Sequence, residues 1–106
     1  MEIRIRSDSS PLSITLEGSL DGTSASALRD QFFDVSLTTS GAVIVDISAV
    51  DFMDSVGLGL LVSFYRQLGA KGRLLHVIGA TGQPNDLLRI TGSGRVLCLP
   101  IAENVA

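Results

Sequence analysis

The sequence predicts an α/β fold: a mixed β-sheet with a parallel part, and helices packed mainly on one face. Three observations carry this. Residues 42–47 form a continuous apolar run rich in β-branched side chains, the composition of a strand buried on both faces. Residues 2–6 and 12–18 instead alternate apolar and polar side chains, as half-exposed strands do. From the central run onward, strand and helix patterns take turns, which gives parallel strands joined by right-handed helical crossovers. At 106 residues the expectation is one domain over positions 1–106.

Each element has its own signal. Glu2-Ile-Arg-Ile-Arg6 is the first strand, and Ser7 to Pro11 is turn chemistry. Leu12, Ile14 and Leu16 then share one face of a second strand, which predicts a hairpin at one side of the sheet. Gly18 and Gly22 bracket a loop carrying Asp21. Thr23 or Ser24 can cap the following helix by accepting a bond from a free backbone N–H. Ala25, Leu28, Phe32 and Val35 recur at three- and four-residue spacing, one apolar stripe of a helix that ends at Thr38 to Gly41. The central strand follows, then a loop over Asp51–Ser55. A second helix carries Leu61, Phe64, Tyr65 and Leu68 at helical spacing, and Gly69 and Gly72 stop it. Residues 73–78 read as a buried strand and 79–84 as a loop. Asn85 to Ile90 reads as a short helix started by Pro84 and closed by Gly92. Arg95 to Leu99 reads as a last strand ended by Pro100, and the tail is too short for a helix.

Composition narrows the chemistry. Aromatic residues are 5% of the chain and Trp is absent, so Leu, Ile, Val and Ala must build the core. No apolar run reaches a membrane span, and the first residues lack the apolar core of a signal peptide, so the expected location is the cytoplasm. A single cysteine, Cys98, allows no internal disulfide and fits a reducing compartment; its apolar setting reads as a small hydrophobe. Net charge is −3 and Lys71 is the only lysine. The arginines are scattered without a basic stripe, which argues against a nucleic-acid partner.

Several catalytic readings fail on spacing. Gly57-Leu-Gly59 follows a strand, but Val62 holds the third glycine position of a dinucleotide fingerprint and no acid follows about twenty residues on. Small residues there instead let the first helical turn pack close to the sheet. Asp46, Asp51 and Asp54 lack the second acidic cluster and the lysine of a phosphoacceptor-aspartate site. One His and one Cys cannot assemble a zinc set, and His76 reads as a core histidine. Ser55 remains. Its plain reading is a helix cap, and Asp54 beside it suits the first helical turn. A phosphate on Ser55 would also meet free N–H groups and the positive end of a helix dipole, adding about −1.5 to −2 charges.

The residues Asp51-Phe-Met-Asp-Ser-Val-Gly-Leu-Gly59, after a Val-Ile-Val-Asp-Ile strand, resemble the signature loop of STAS domains, in particular the bacterial anti-sigma-factor antagonists. Gly18-Ser-Leu-Asp-Gly-Thr-Ser-Ala25 is similar to the family's entry to its first helix, and Leu87-Leu-Arg-Ile-Thr-Gly92 to its third helix. The resemblance implies a four-helix, mixed-sheet domain without enzymatic activity or cofactor. It implies two partners, an anti-sigma serine kinase that binds the unphosphorylated antagonist and a phosphatase that restores it. Ser55 matches the family's phosphoacceptor, Asp54 the motif aspartate, and Asp21 the aspartate expected beside that serine. The partner-binding set is then Asp21, Thr23, Met53, Asp54, Ser55, Val56 and Leu58, with Met53 and Leu58 supplying exposed apolar contact. Val56 departs from the second Ser or Thr common in the motif, and the chain stops where many members have a final helix. The alternative that the resemblance carries is a non-switching subunit or scaffold, as in lipid-transport ATPase complexes or sensor assemblies.

Overall fold

A computed structural model describes residues 1–6 and 11–98. The elements are β1 (Glu2–Arg6), β2 (Leu12–Leu20), α1 (Gly22–Thr38), β3 (Val43–Met53), α2 (Ser55–Gly69), β4 (Leu75–Ile78), α3 (Gly82–Thr91) and α4 (Gly94–Leu97). The strands lie in the order β1-β2-β3-β4. The first pair is antiparallel, with Ile3 opposite Leu16; β2–β3 and β3–β4 are parallel. The mixed sheet and the hairpin are therefore as expected.

One face of the sheet makes the core. Leu12, Val43 and Leu75 are cross-strand partners, as are Ile14, Val45 and Val77, and all six are buried. Side chains alternate across a strand, so the intervening Ile44, Asp46 and His76 point the other way and are only half-buried. The helices meet the core face with their own stripes: Ala25, Leu28, Phe32 and Val35 from α1, and Leu58, Leu61, Phe64 and Leu68 from α2. Phe32 and Phe64 stack with centroids 4.0 Å apart and planes 5° from parallel, which fixes α1 against α2. At the far end of α1, the Lys71 ammonium donates to the Ser36 carbonyl at 2.6 Å and Arg73 Nε to the Gly41 carbonyl at 2.7 Å. Cations near the last carbonyls of a helix suit its dipole.

Four expectations are corrected. First, β3 does not stop at Ile47; it runs through Asp51 to Met53. Its buried residues are Val43, Val45 and Ile47, then Val50, then Met53. Between Thr15 and Glu17, and again between Gly18 and Ser19, the register with β2 shifts so that β3 carries one extra residue. Each extra residue breaks the alternation, so the second half of the strand shows three-residue spacing and reads as a loop. Second, β2 likewise continues to Leu20, with Gly18 inside it at φ +102°, a conformation glycine reaches without steric cost. Third, residues 95–97 are helical in α4 rather than extended. Leu97 N–H donates to the Ser93 carbonyl and Cys98 N–H to the Gly94 carbonyl, and Leu97 is fully buried; a short apolar run does not distinguish a strand from a helical turn. Fourth, α3 starts earlier than expected, and Pro84 lies in its first turn rather than before it. Gly92 closes α3 in the left-handed conformation, at φ +75°. Turn residues 7–10 and the tail beyond Cys98 lie outside the described residues.

Candidate functional site

Two parallel strands end side by side. Leu20 of β2 is paired with Met53 of β3, and the next residue in each chain segment is an aspartate that caps a helix. Asp21 caps α1: its Oδ1 accepts from Thr23 N–H at 3.0 Å, Ser24 N–H at 3.2 Å and the Thr23 hydroxyl at 2.6 Å. Ser24 Oγ accepts the Asp21 N–H at 3.0 Å, completing a reciprocal capping box. Asp54 caps α2, its Oδ1 accepting from Gly57 N–H at 2.9 Å. The expected cap of α1, Thr23 or Ser24, is thus displaced by Asp21, and the expected cap of α2, Ser55, by Asp54. Thr23 and Ser24 support the first carboxylate instead.

Ser55 is the first residue of α2 and is exposed. With Asp54 as the cap, its hydroxyl has no hydrogen-bond partner among the described residues. Val56 beside it is 49% exposed. Thr23 is also exposed and Asp21 and Asp54 are half-buried. The structure therefore brings Asp21, Thr23, Asp54, Ser55 and Val56 to one end of the molecule, where two helix N-termini face outward. It does not do so with the two apolar contacts. Met53 is fully buried and Leu58 is 8% exposed; both belong to the core, because Met53 is on the inward face of β3 and Leu58 on the inward stripe of α2.

The two ends are locked together by close backbone approach. Asp54 N–H donates to the Leu20 carbonyl at 3.2 Å. A Cβ added at Gly57 would stand 2.2 Å from that same oxygen, so only glycine fits. At Gly59 an added Cβ meets nothing within 4 Å. The close-packing role read from the Gly57-Leu-Gly59 pair thus belongs to Gly57 alone. A further residue comes from far away in the chain. Gln83 of α3 donates Nε2–H to the Met53 carbonyl at 2.8 Å and accepts the Met53 N–H through Oε1 at 2.8 Å. β4 stops opposite Asp46, so among the described residues the end of β3 has no strand on that side, and a side-chain amide completes the ladder. Nothing in local sequence pattern signals Gln83, which is thirty positions from Met53.

The Thr23 hydroxyl, opposed in part by desolvation and aided by the Ser24 and Thr23 N–H groups, holds the Asp21 carboxyl below its ordinary pKa. Burial pushes the half-buried Cys98 thiol up, consistent with a packing role. His76 is half-buried on the sheet face away from the core, its Nδ1 enclosed without a partner among the described residues. Among the described residues no three or more His, Cys, Asp or Glu side chains are grouped to hold a metal, and no helix is long and apolar enough to cross a membrane.

The family model for the STAS domain matches residues 2–106. The chain belongs to the STAS family. Solved structures similar to this STAS chain include an anti-sigma factor antagonist from Mycobacterium paratuberculosis, 26% identical with a TM-score of 0.77, covering 89% of this chain and 81% of that one. The anti-sigma factor antagonist SpoIIAA in its unphosphorylated form is 20% identical with a TM-score of 0.78, covering 90% and 84%. The Bacillus cell fate determinant SpoIIAA in its phosphorylated form is 18% identical with a TM-score of 0.73, covering 99% and 100%. The four-stranded mixed sheet with helices packed against it is the fold they share with this STAS chain.

Proposed function

We propose that this STAS domain is an anti-sigma factor antagonist of the cytoplasm, without enzymatic activity, whose binding to an anti-sigma serine kinase is switched by phosphorylation of Ser55 and reset by a serine phosphatase. The observation that carries this is the state of Ser55: an exposed hydroxyl without a hydrogen-bond partner among the described residues, at the first position of a helix whose cap is supplied by its neighbour. The two SpoIIAA forms similar in fold, one phosphorylated and one not, and the 26% identical antagonist support the reading.

The switch works by charge at a rigid end. Phosphate on Ser55 adds about −1.5 to −2 charges and sits where N–H groups and the helix dipole accept them. The fold is kept. The end of the molecule already carries Asp21 and Asp54, so added phosphate deepens its negative field. Against a partner holding ATP or ADP phosphates, like-charge contacts cost several kcal/mol, and each ~1.4 kcal/mol is tenfold in affinity. Release by about a hundredfold or more follows. The contact set is Asp21, Thr23, Asp54, Ser55 and Val56. Incubation with the cognate kinase and ATP, followed by mass spectrometry, is expected to place one phosphate on Ser55. A Ser55→Asp variant is expected to lose the kinase in pull-down. An unmodified Ser55, or a Ser55→Asp variant that binds like wild type, would reject the proposal.

A second reading has one observation in its favour. Val56 turns an apolar side chain to solvent beside Ser55, which suits a permanent contact in a larger assembly, such as a lipid-transport ATPase complex or a sensor array. Co-purification separates the two: a kinase supports the switch, a membrane complex the subunit.

A further inference from the structure

The peptide unit between Met53 and Asp54 is held from two sides. Its carbonyl accepts from Gln83 Nε2 at 2.8 Å, and its N–H donates to the Leu20 carbonyl at 3.2 Å. Gln83 Oε1 also accepts the Met53 N–H at 2.8 Å. A side-chain amide carries a donor and an acceptor together, so it can meet both backbone groups of one strand residue. Helix α3 gives this amide a fixed base. Pro84, the next residue, and Leu88, one turn on, are buried. The loop that leads to α3 is seated on β3: a Cβ added at Gly79 would stand 2.8 Å from Asp46 Oδ1 and 3.0 Å from Ser48 N. Gln83 itself is exposed, so its contribution lies in the two bonds rather than in packing.

We propose that Gln83 is a positioning residue for Ser55: it fixes the plane of the Met53–Asp54 peptide and thereby the direction in which the Ser55 hydroxyl is offered to a kinase. The proposal rests on the reading of Ser55 as phosphoacceptor. Asp54 leaves the strand at φ −109° and ψ −175° and caps α2 through the Gly57 N–H. Turning the peptide before it would twist the Asp54 backbone against a helix that cannot follow, because the first turn of α2 is pressed on the Leu20 carbonyl at Gly57. Ser55, between the cap and that contact, takes up the difference. Phosphoryl transfer is sensitive to such a change. The Ser55 Oγ forms a bond to the γ-phosphorus of ATP as the bond to the departing ADP oxygen breaks, with the two oxygens roughly in line. The hydroxyl proton passes to a base of the kinase. Misplacing a reacting atom by about 1 Å costs about a hundredfold in rate. A side chain that merely closed the strand end would stabilise the fold and leave that rate alone.

The test is steady-state phosphorylation of the full chain by the cognate kinase and ATP, at varied concentrations of the chain, with the phosphate located by mass spectrometry. Gln83→Leu removes both bonds. Gln83→Glu keeps the acceptor for the Met53 N–H and loses the donor to the Met53 carbonyl, and it serves where Gln83→Leu fails to fold. Val35→Ala, a truncation of a buried side chain near the far end of α1, is the control for lost stability alone; circular dichroism melts check that each variant folds. Both Gln83 variants are expected to lower kcat at least about tenfold with little change in KM, and Val35→Ala to keep the wild-type kcat. In NMR spectra the Asp54 and Gly57 amides are expected to shift in both Gln83 variants while those of Leu75 and Val77 stay. Gln83 variants that are phosphorylated at the wild-type rate overturn the inference and leave the reading of Ser55 standing. A raised KM at unchanged kcat also overturns it, since it makes Gln83 a contact of the kinase. An equal loss of kcat in Val35→Ala overturns it by reducing the effect to stability. Wild type that stays unmodified at Ser55 removes the reading of Ser55 itself, and this inference with it.

Discussion

At the scale of single residues, two glycines in one helical turn have opposite meanings. Gly57 faces the Leu20 carbonyl with no room for a methyl group, whereas Gly59 faces open space. Gly57→Ala is expected to destabilise by about 1–3 kcal/mol through forced backbone displacement. Gly59→Ala is expected to stabilise by about 0.5–1 kcal/mol, because alanine loses less entropy in a helix. Urea titrations of the two variants check both signs. Asp21 supplies a pH prediction. Its folded pKa is depressed, so the stabilisation it confers is present above its unfolded pKa and is lost as pH falls through the folded value. NMR titration is expected to find this carboxyl below the usual aspartate range, and Thr23→Ala to move it upward, since the Thr23 hydroxyl is the largest cause of the shift. Asp21, Asp54 and Ser55 were all legible as a polar cluster at helix starts. Which of them caps was not, because aspartate, serine and threonine satisfy a helix N-terminus almost equally well.

At the scale of elements, the strand ends are held by a borrowed partner. Gln83→Leu removes both bonds to the Met53 backbone. Leaving partly buried peptide groups unpaired costs about 1–3 kcal/mol. Hydrogen exchange at the Met53 amide is expected to lose protection in that variant before the core strands do. Elements with a steady period were legible in the sequence: the hairpin, the stripes of α1 and α2, and the first half of β3. The misread elements are those whose period is broken or too brief. The second half of β3 carries two extra residues, so Ile47, Val50 and Met53 stand three apart while all face inward. α4 is four residues long, shorter than any window in which helical and extended spacing differ. The exposure expected of Met53 and Leu58 failed for a related reason: a motif gives the order of residues but not the side to which each one turns.

At the scale of the whole molecule, the core joins the sheet to helices from both halves of the chain. Leu97 of α4 is fully buried and packs in the same cluster as Leu12 and Leu75. Leu97→Ala is expected to cost about 2–5 kcal/mol, the range for truncating a buried leucine, and to lower the thermal midpoint of the entire fold rather than fray one end. The paired arrival of Leu20 and Met53 has its own implication for how this chain tolerates changes in length. β3 works as a ruler cut two marks longer than its neighbour, and the surplus is taken up midway. Deleting a single position between Ile47 and Phe52 would pull Asp54 back by about 3.3 Å, one strand step, and turn it toward the opposite side of the sheet. The two carboxylates would then fall out of line although neither had been touched.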